Sequence, residues 1–239
     1  ESGEIADGDA DITHGGDFAK SDVIRQLPHV GGIVSAAQSL DGARLITGCN
    51  DNTARLWEAK SGAEIGPPLQ HRGIVQAVAF SRDGNTVLTG SLDRTARLWN
   101  AATGEPLSPP IRHVDRVMSV AISPDGRQIA TGCRDGTVWL WAVARRPAGL
   151  VLPHEHRVWA AAFMPDGEQL LTASGNADTP GTAQLWNAAT GERIGAPMRH
   201  ESMIREIAIS ADGRTLVTGS WTSHSAVRLW DAVTQSPIS

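Results

Sequence analysis

The sequence predicts an all-β chain of repeated, short-stranded antiparallel sheets, and three observations carry that prediction. The stretch "TGSLDRTARLWN" (89–100) recurs 42 residues earlier as "TGCNDNTARLWE" and 42 residues later as "TGCRDGTVWLWA". Five Asp-Gly pairs end at Gly42, Gly84, Gly126, Gly167 and Gly213, at spacings of 42, 42, 41 and 46 residues. Each of these glycines has a His 13 residues before it and a Thr 5 residues after it, and each unit closes on a Trp. Self-similarity at a fixed period is the primary sign of a repeat architecture and is weighed before any local feature.

Within a unit, "VQAVAF" (75–80) and "VMSVAI" (117–122) are β-rich runs with partial alternation and read as a first strand. "SPDG" (123–126) and its variants are turn chemistry: Pro presets φ, Asp binds its own backbone and Gly takes φ > 0. "TVLTG" (86–90) is a second strand and "TARLW" (95–99) a third, followed by the turn "NAATGE" (100–105). "PLSPPIR" (106–112) is the fourth, and its prolines place it at an outer edge, where missing N–H groups cost least. Four strands in roughly 40–45 residues, closed by Trp, describe a β-propeller blade. The units run over about 29–70, 71–112, 113–153, 154–199 and 200–239.

The residues that mark the units are His29, His71, His113, His154 and His200; Thr47, Thr89, Thr131, Thr172 and Thr218; and Trp57, Trp99, Trp141, Trp186 and Trp230. On these marks the chain resembles the WD-repeat family of β-propellers over residues 22–239. The family's closing Trp-Asp is literal only at Trp230-Asp231, and the residue before each His is Pro28, Gln70, Arg112, Pro153 or Arg199 where the family has Gly. The wording "ARLWNAATGE" with "GPPL" or "GAPM" is similar to bacterial WD-repeat proteins, whose propellers are often joined to other domains, protein kinases among them.

The resemblance implies a buried hydrogen-bond chain in each blade. The sets would be His29, Thr47, Asp51, Trp57; His71, Thr89, Asp93, Trp99; and His113, Thr131, Asp135, Trp141. Imidazole, hydroxyl, carboxylate and indole supply matched donors and acceptors. Units four and five carry insertions, "TASGNADTPGTAQLW" (172–186) and "TGSWTSHSAVRLW" (218–230), where the Asp belongs. Asp178 is a substitute in unit four and unit five has none, so a weaker network is expected in both.

"DVIRQLPH" (22–29) resembles the last strand of a preceding blade, and residues 1–21 read as an acidic linker or a degenerate strand of that blade. Asp9-x-Asp11 invites a calcium loop, but counted from Asp7 the sixth position lacks Gly and the twelfth lacks Glu. Five full units plus a partial one suggest most of a seven-bladed ring, as the family implies; a smaller closed ring and a ring completed by another chain remain open. An open ring would leave unpaired edges that invite association.

The bulk numbers narrow the function. The net charge of −5 gives no general pull toward phosphate backbones, so nucleic acid is not expected. No run of 18 apolar residues occurs, so no membrane span is expected. Cys49 and Cys133 fall where other units have Ser, which suits buried small side chains and not a disulfide. Nothing demands an oxidising compartment, and a cytoplasmic location is expected. Glycine-rich phosphate loops, G-x-S-x-G, H-E-x-x-H and Cys-x-x-Cys motifs do not occur, and the repeated acids belong to turns. His154 and His156 in "HEH" do not make a metal site, since one of them occupies the structural slot. The expectation is no catalytic residue, no cofactor and no metal.

What varies between units is then informative. In the family, partners bind the face carrying the loop after the His and the turn before the third strand. Three residues after each His stand Gly32, Ile74, Arg116, Arg157 and Met203, and five after it stand Val34, Gln76, Met118, Trp159 and Arg205. The later turn carries Asn50, Leu92 and Arg134, with Trp221 and His224 in the last insertion. Trp, Met and Arg are enriched at protein interfaces, although partial burial at a channel mouth would also explain them. Trp139, where other units have Arg or Gln, is expected to pack on the neighbouring blade. The expected function is a non-enzymatic scaffold that binds a protein or peptide through these loops, as part of a larger protein. The alternatives are a regulatory or sensory domain of a fused enzyme and a propeller enzyme with its site at the channel mouth.

Overall fold

The computed structural model describes residues 27–143, 149–177, 179–221 and 226–238. The segment 1–21, the start of the partial unit at 22–26, Asp178 and His224 lie outside the described residues.

Five antiparallel sheets follow one another along the chain. The first holds β1 (Ile33–Gln38), β2 (Arg44–Cys49), β3 (Thr53–Glu58) and β4 (Leu69–Gln70). The second holds β5 (Val75–Phe80), β6 (Thr86–Ser91), β7 (Thr95–Asn100) and β8 (Ile111–Arg112). The third holds β9 (Val117–Ile122), β10 (Gln128–Cys133), β11 (Thr137–Ala142) and β12 (Leu150–Pro153). The fourth holds β13 (Val158–Phe163), β14 (Gln169–Ser174), β15 (Thr182–Asn187) and β16 (Arg193–Arg199). The fifth holds β17 (Ile204–Ile209), β18 (Thr215–Ser220) and β19 (Val227–Asp231), and a bridge from Trp230 to Pro237 begins its outer edge. Each sheet is a meander of sequence neighbours, a propeller blade.

The Asp-Gly turns form as their residues require. At 81–84 the Ser81 hydroxyl donates to Asp83 Oδ1 at 2.6 Å and the Gly84 N–H donates to the Ser81 carbonyl at 2.9 Å. Gly84 takes φ +70, which favours a residue without Cβ. The fourth strands differ from expectation. Of "PLSPPIR", only Ile111–Arg112 forms a ladder, with a single bridge from Pro106 to Trp99. Pro109 and Pro110 bring no N–H to that edge.

The inner strands β1, β5, β9, β13 and β17 stand side by side in that order. The core lies between consecutive blades. Ile46, Ala54, Leu56 and Leu69 of the first blade pack on Val75, Val78, Val87 and Trp99 of the second, and similar clusters join the second to the third, the third to the fourth and the fourth to the fifth. Among the described residues, the outer faces of the two end blades carry exposed apolar side chains. Leu229 is 46% exposed and Val227 74%, whereas Leu185 and Ala183 at the same positions of the fourth blade are at 0%. At the other end Ile33 is 54% exposed, whereas Val75, Val117, Val158 and Ile204 are at 0%.

Candidate protein-binding face at the channel mouth

The repeated residues hold blades together. In the second blade the Trp99 Nε1–H donates to Thr89 Oγ1 at 2.9 Å, Thr89 Oγ1 lies 2.7 Å from His71 Nε2, and His71 Nδ1 lies 3.1 Å from Asp93 Oδ2. A carboxylate only accepts, so the imidazole proton belongs on Nδ1 and the Thr89 hydroxyl donates to Nε2. Asp93 also accepts the Arg72 N–H at 2.8 Å and the Thr95 hydroxyl at 2.7 Å. Burial raises the Asp93 pKa, but the hydrogen bonds from His71, Thr95 and the Arg72 N–H outweigh it and hold the carboxyl well below its ordinary range.

The other blades keep less of this chain. In the first, His29 and Trp57 both reach Thr47, at 2.8 and 3.0 Å, but Asp51 pairs with Arg55 at 2.9 Å, and His29 Nδ1 donates instead to the Leu27 carbonyl at 2.9 Å. In the fourth, His154 and Trp186 each reach Thr172 at 2.8 Å, with His154 Nδ1 on the Leu152 carbonyl. In the fifth, His200 and Trp230 reach Thr218 at 2.6 and 2.8 Å. The described residues of these two blades put no carboxylate on the His, yet their Thr-centred contacts are as short as any.

The break is in the third blade. Trp141 donates to Thr131 at 3.2 Å, but His113 Nδ1 faces Cys133 Sγ at 3.5 Å and its Nε2 has no partner. Asp135 caps Thr137 instead of meeting the His. Trp139 accounts for the change. Its ring stacks on Trp141 of its own blade at 5.3 Å and meets His113 edge-on at 6.5 Å, while also lying against the cluster between the second and third blades. Burial lowers the His113 pKa to about 4 and raises the Cys133 thiol to about 12. Both cysteines are free and buried. Asp51, His113 and Asp135 are thus corrected as members of the hydrogen-bond sets.

The residues that vary are brought to one mouth by a repeated backbone device. In every inner strand the ladder skips one residue: Val34, Gln76, Met118, Trp159 and Arg205 are the extra residues of β-bulges. A bulge re-aims the side chain it frees, and these five line one recess of about 250 Å³ where the inner strands converge. These are the positions five residues after each His.

An adjoining recess of about 320 Å³ is lined by Gln76, Leu92, Arg116, Met118, Arg134, Arg157, Trp159 and Arg205. Trp159 is fixed by its Nε1–H to the Gly175 carbonyl at 3.0 Å. The Arg157 and Arg205 guanidinium carbons lie over its ring at 4.7 and 5.0 Å, and Arg205 also lies over Trp221 at 5.1 Å. Trp221 is 61% exposed at the rim. Burial, and then the charges of Arg134 and Arg116, pull the Arg157 pKa below its ordinary value. Ile74 and Met203 stand apart from this recess. Ile74 is half-buried, with its carbonyl accepting the Leu92 N–H, and Met203 is half-buried against Gly175.

The family model described as "WD domain, G-beta repeat" matches the chain five times, over residues 21–58, 68–100, 104–142, 149–187 and 192–231. Each match ends at the Trp that closes a blade or within one residue of it. No curated protein matches the chain. With most of its length matched and its five sheets built as blades, the chain belongs to the WD40 repeat family.

Proposed function

We propose that the chain is a non-enzymatic interaction platform that binds a protein or peptide at the mouth lined by Leu92, Arg116, Met118, Arg134, Arg157, Trp159 and Arg205, with Trp221 at its rim. WD40 repeats typically mediate protein–protein interactions, and the finer assignment to this face rests on one observation. The residues that depart from the repeat converge on one recess, while the residues that recur are spent on blade structure. The recess presents guanidinium, indole, carboxamide, thioether and apolar groups, and the one carboxylate lining the adjoining recess is Glu206. Another recess, of about 340 Å³, lies between the second and third blades among Leu98, Leu107, Ile129 and two Asp-Gly turns, and its lining includes the repeat's own turn residues.

Rigid blades hold the variable side chains in fixed relative positions, which lowers the ordering cost of binding. Indoles clamped under guanidinium groups are suited to be anchors for the same reason. Among the described residues no helix is long and apolar enough to cross a membrane.

The test compares proteins captured by the wild-type chain with those captured by a Trp159→Ala, Arg205→Ala variant of matched thermal stability. Specific partners should be lost or weakened about tenfold or more, as expected when interface anchors are truncated. An unchanged set of partners would remove the assignment to this face.

A further inference from the structure

The junction between the second and third blades is built differently from its neighbours. The difference lies away from the mouth: β9 has its bulge at Met118 near its start and ends at Ile122, just before an Asp-Gly turn. Where the first blade meets the second, Arg44 leaves one Asp-Gly turn and its Nη1–H donates to the Gly84 carbonyl of the next at 3.1 Å. Where the third meets the fourth, the Gln128 side chain donates to the Ala188 carbonyl at 3.3 Å. Phe80 packs into the first of these junctions and Phe163 into the other. The junction between them has Thr86 in the place of Arg44 and Gln128, and Ile122 in the place of Phe80 and Phe163. Thr86 is too short to cross. Among the described residues the Gly126 carbonyl, counterpart of the Gly84 carbonyl, accepts no hydrogen bond.

The turn glycines show the same opening. A Cβ on Gly84, Gly167 or Gly213 would touch the preceding blade, at Ser39 Cβ (3.6 Å), Pro124 Cδ (3.3 Å) or Pro165 Cδ (3.4 Å). A Cβ on Gly126 would meet nothing within 4 Å. The space is a cleft of about 340 Å³ walled by Leu98, Leu107, Ile122 and Ile129. Asp83 and Asp125 also line it, and Arg82 is the one cation among the lining residues. Arg127 lies 3.9 Å from Asp125 with both side chains exposed, a pairing that solvent screens. Two carboxylates and a carbonyl against one guanidinium favour a cation.

We propose that this cleft takes the side chain of an arginine presented by a partner protein, at a site separate from the mouth and independent of it. The chain itself supplies the precedent. Arg44 fills the corresponding place in the first junction from within, beside Ile65, the counterpart of Leu107, and on the carbonyl of the next Asp-Gly turn. A guanidinium carries five donors in a planar fork, so it can meet the Gly126 carbonyl and a carboxylate together. Its aliphatic stem has Leu98 and Leu107 to lie along. A lysine shares the stem and the charge but not the fork, and a leucine satisfies only the walls.

The experiment titrates the isotope-labelled chain with three capped peptides, Gly-Gly-X-Gly-Gly with Arg, Lys or Leu at X, and follows the Thr86 and Gly126 amide signals by NMR. The Arg peptide should shift both at a concentration about tenfold or more below that needed by the Leu peptide, with Lys between them. Thr86→Arg repeats Arg44 in the second blade. It should abolish the Arg response and unfold like wild type, because the first junction is already filled in this way. Leu107→Ser, at a wall residue 52% exposed, should weaken the Arg peptide about threefold or more, and decides the matter should Thr86→Arg not fold. Equal responses to the three peptides, or an Arg response unaltered in both variants, would overturn the proposal. So would a response that emerges only after Arg145→Gln, Arg146→Gln, since the chain's own arginines would then be the occupants. The mouth and the cleft can fail separately. Trp159→Ala, Arg205→Ala should leave the Arg response unchanged whatever it does to captured partners, and loss of the response in that variant would place arginine binding at the mouth and remove the cleft.

Discussion

Thr89 and Thr131 occupy the same position in neighbouring blades, both at 0% exposure, yet they hold different company. Thr89 joins an indole to an imidazole, while Thr131 holds only Trp141. Thr89→Val leaves two buried polar groups unpaired and is expected to cost about 2–4 kcal/mol, whereas Thr131→Val strands one and should cost about 1–2 kcal/mol. Chemical denaturation of the two variants measures the difference. The histidines add a pH dependence. Burial holds His113, His154 and His200 at about 4, below their ordinary unfolded value of about 6.5. The unfolded chain therefore takes up protons first as pH falls. The contribution of the neutral histidines is complete above about pH 6.5 and is lost as pH falls toward 4. Asp93, whose folded value is depressed, adds a further loss below about pH 3.9, where the unfolded carboxyl protonates. Unfolding free energy should fall between pH 6.5 and 4, and the imidazole NMR signals of these three residues should stay in their neutral positions down to about pH 5. The His, Thr and Trp slots were legible from the period alone. The fate of each Asp was not, because it turns on competitors: Arg55 draws Asp51 away at 2.9 Å, and Trp139 crowds His113.

The same contrast appears in the glycines of the second strands. A Cβ on Gly90 would stand 2.7 Å from Val117 Cγ1 and from Val120 Cγ1 of the next blade, and one on Gly48 would stand 2.8 Å from the Val75 carbonyl oxygen. These glycines let adjacent blades approach. A Cβ on Gly219, in the fifth blade, would meet nothing closer than Glu206 Cβ at 3.6 Å. Gly90→Ala is therefore expected to destabilise by about 1–3 kcal/mol through overpacking, and Gly219→Ala to stay within about 0.5 kcal/mol of wild type. Equilibrium unfolding distinguishes the two, and an equal cost at both positions would mean that the fifth blade's outer face is covered in solution. Most strands could be read to within a residue, since "VQAVAF" and "VMSVAI" are β5 and β9 as written. The bulges could not. No residue type marks Gln76, Met118 or Trp159 as the residue the ladder skips, and it is the skip that turns them into the mouth.

At the scale of the molecule, four interior interfaces set out what a blade's two faces require. Each buries an Ala or Val and a Leu of the third strand against the inner strand of the next blade, as Ala54 and Leu56 meet Val75 and Val78. The fifth blade offers Val227 and Leu229 in those places and the first offers Ile33, and among the described residues these are half-exposed to exposed. The order of the blades was legible from the repeat, but the state of the two end faces was not, because a period says nothing about what stands beyond its last copy. These end faces match by the same residue types that meet inside the chain, so the fifth blade of one copy is suited to pack on the first blade of another. Such a contact is head-to-tail and not closed by two-fold symmetry, so it grows with concentration. The 239-residue chain is expected to show concentration-dependent association in sedimentation velocity. Val227→Asp, Leu229→Asp should suppress it while changing unfolding free energy by less than about 1 kcal/mol, because Val227 is mostly and Leu229 nearly half solvated. Leu185→Asp, at the buried counterpart in the fourth blade, should instead abolish folding by placing an unpaired carboxylate in the core. Association that persists unchanged in the Val227→Asp, Leu229→Asp variant would show that these end faces do not mediate it.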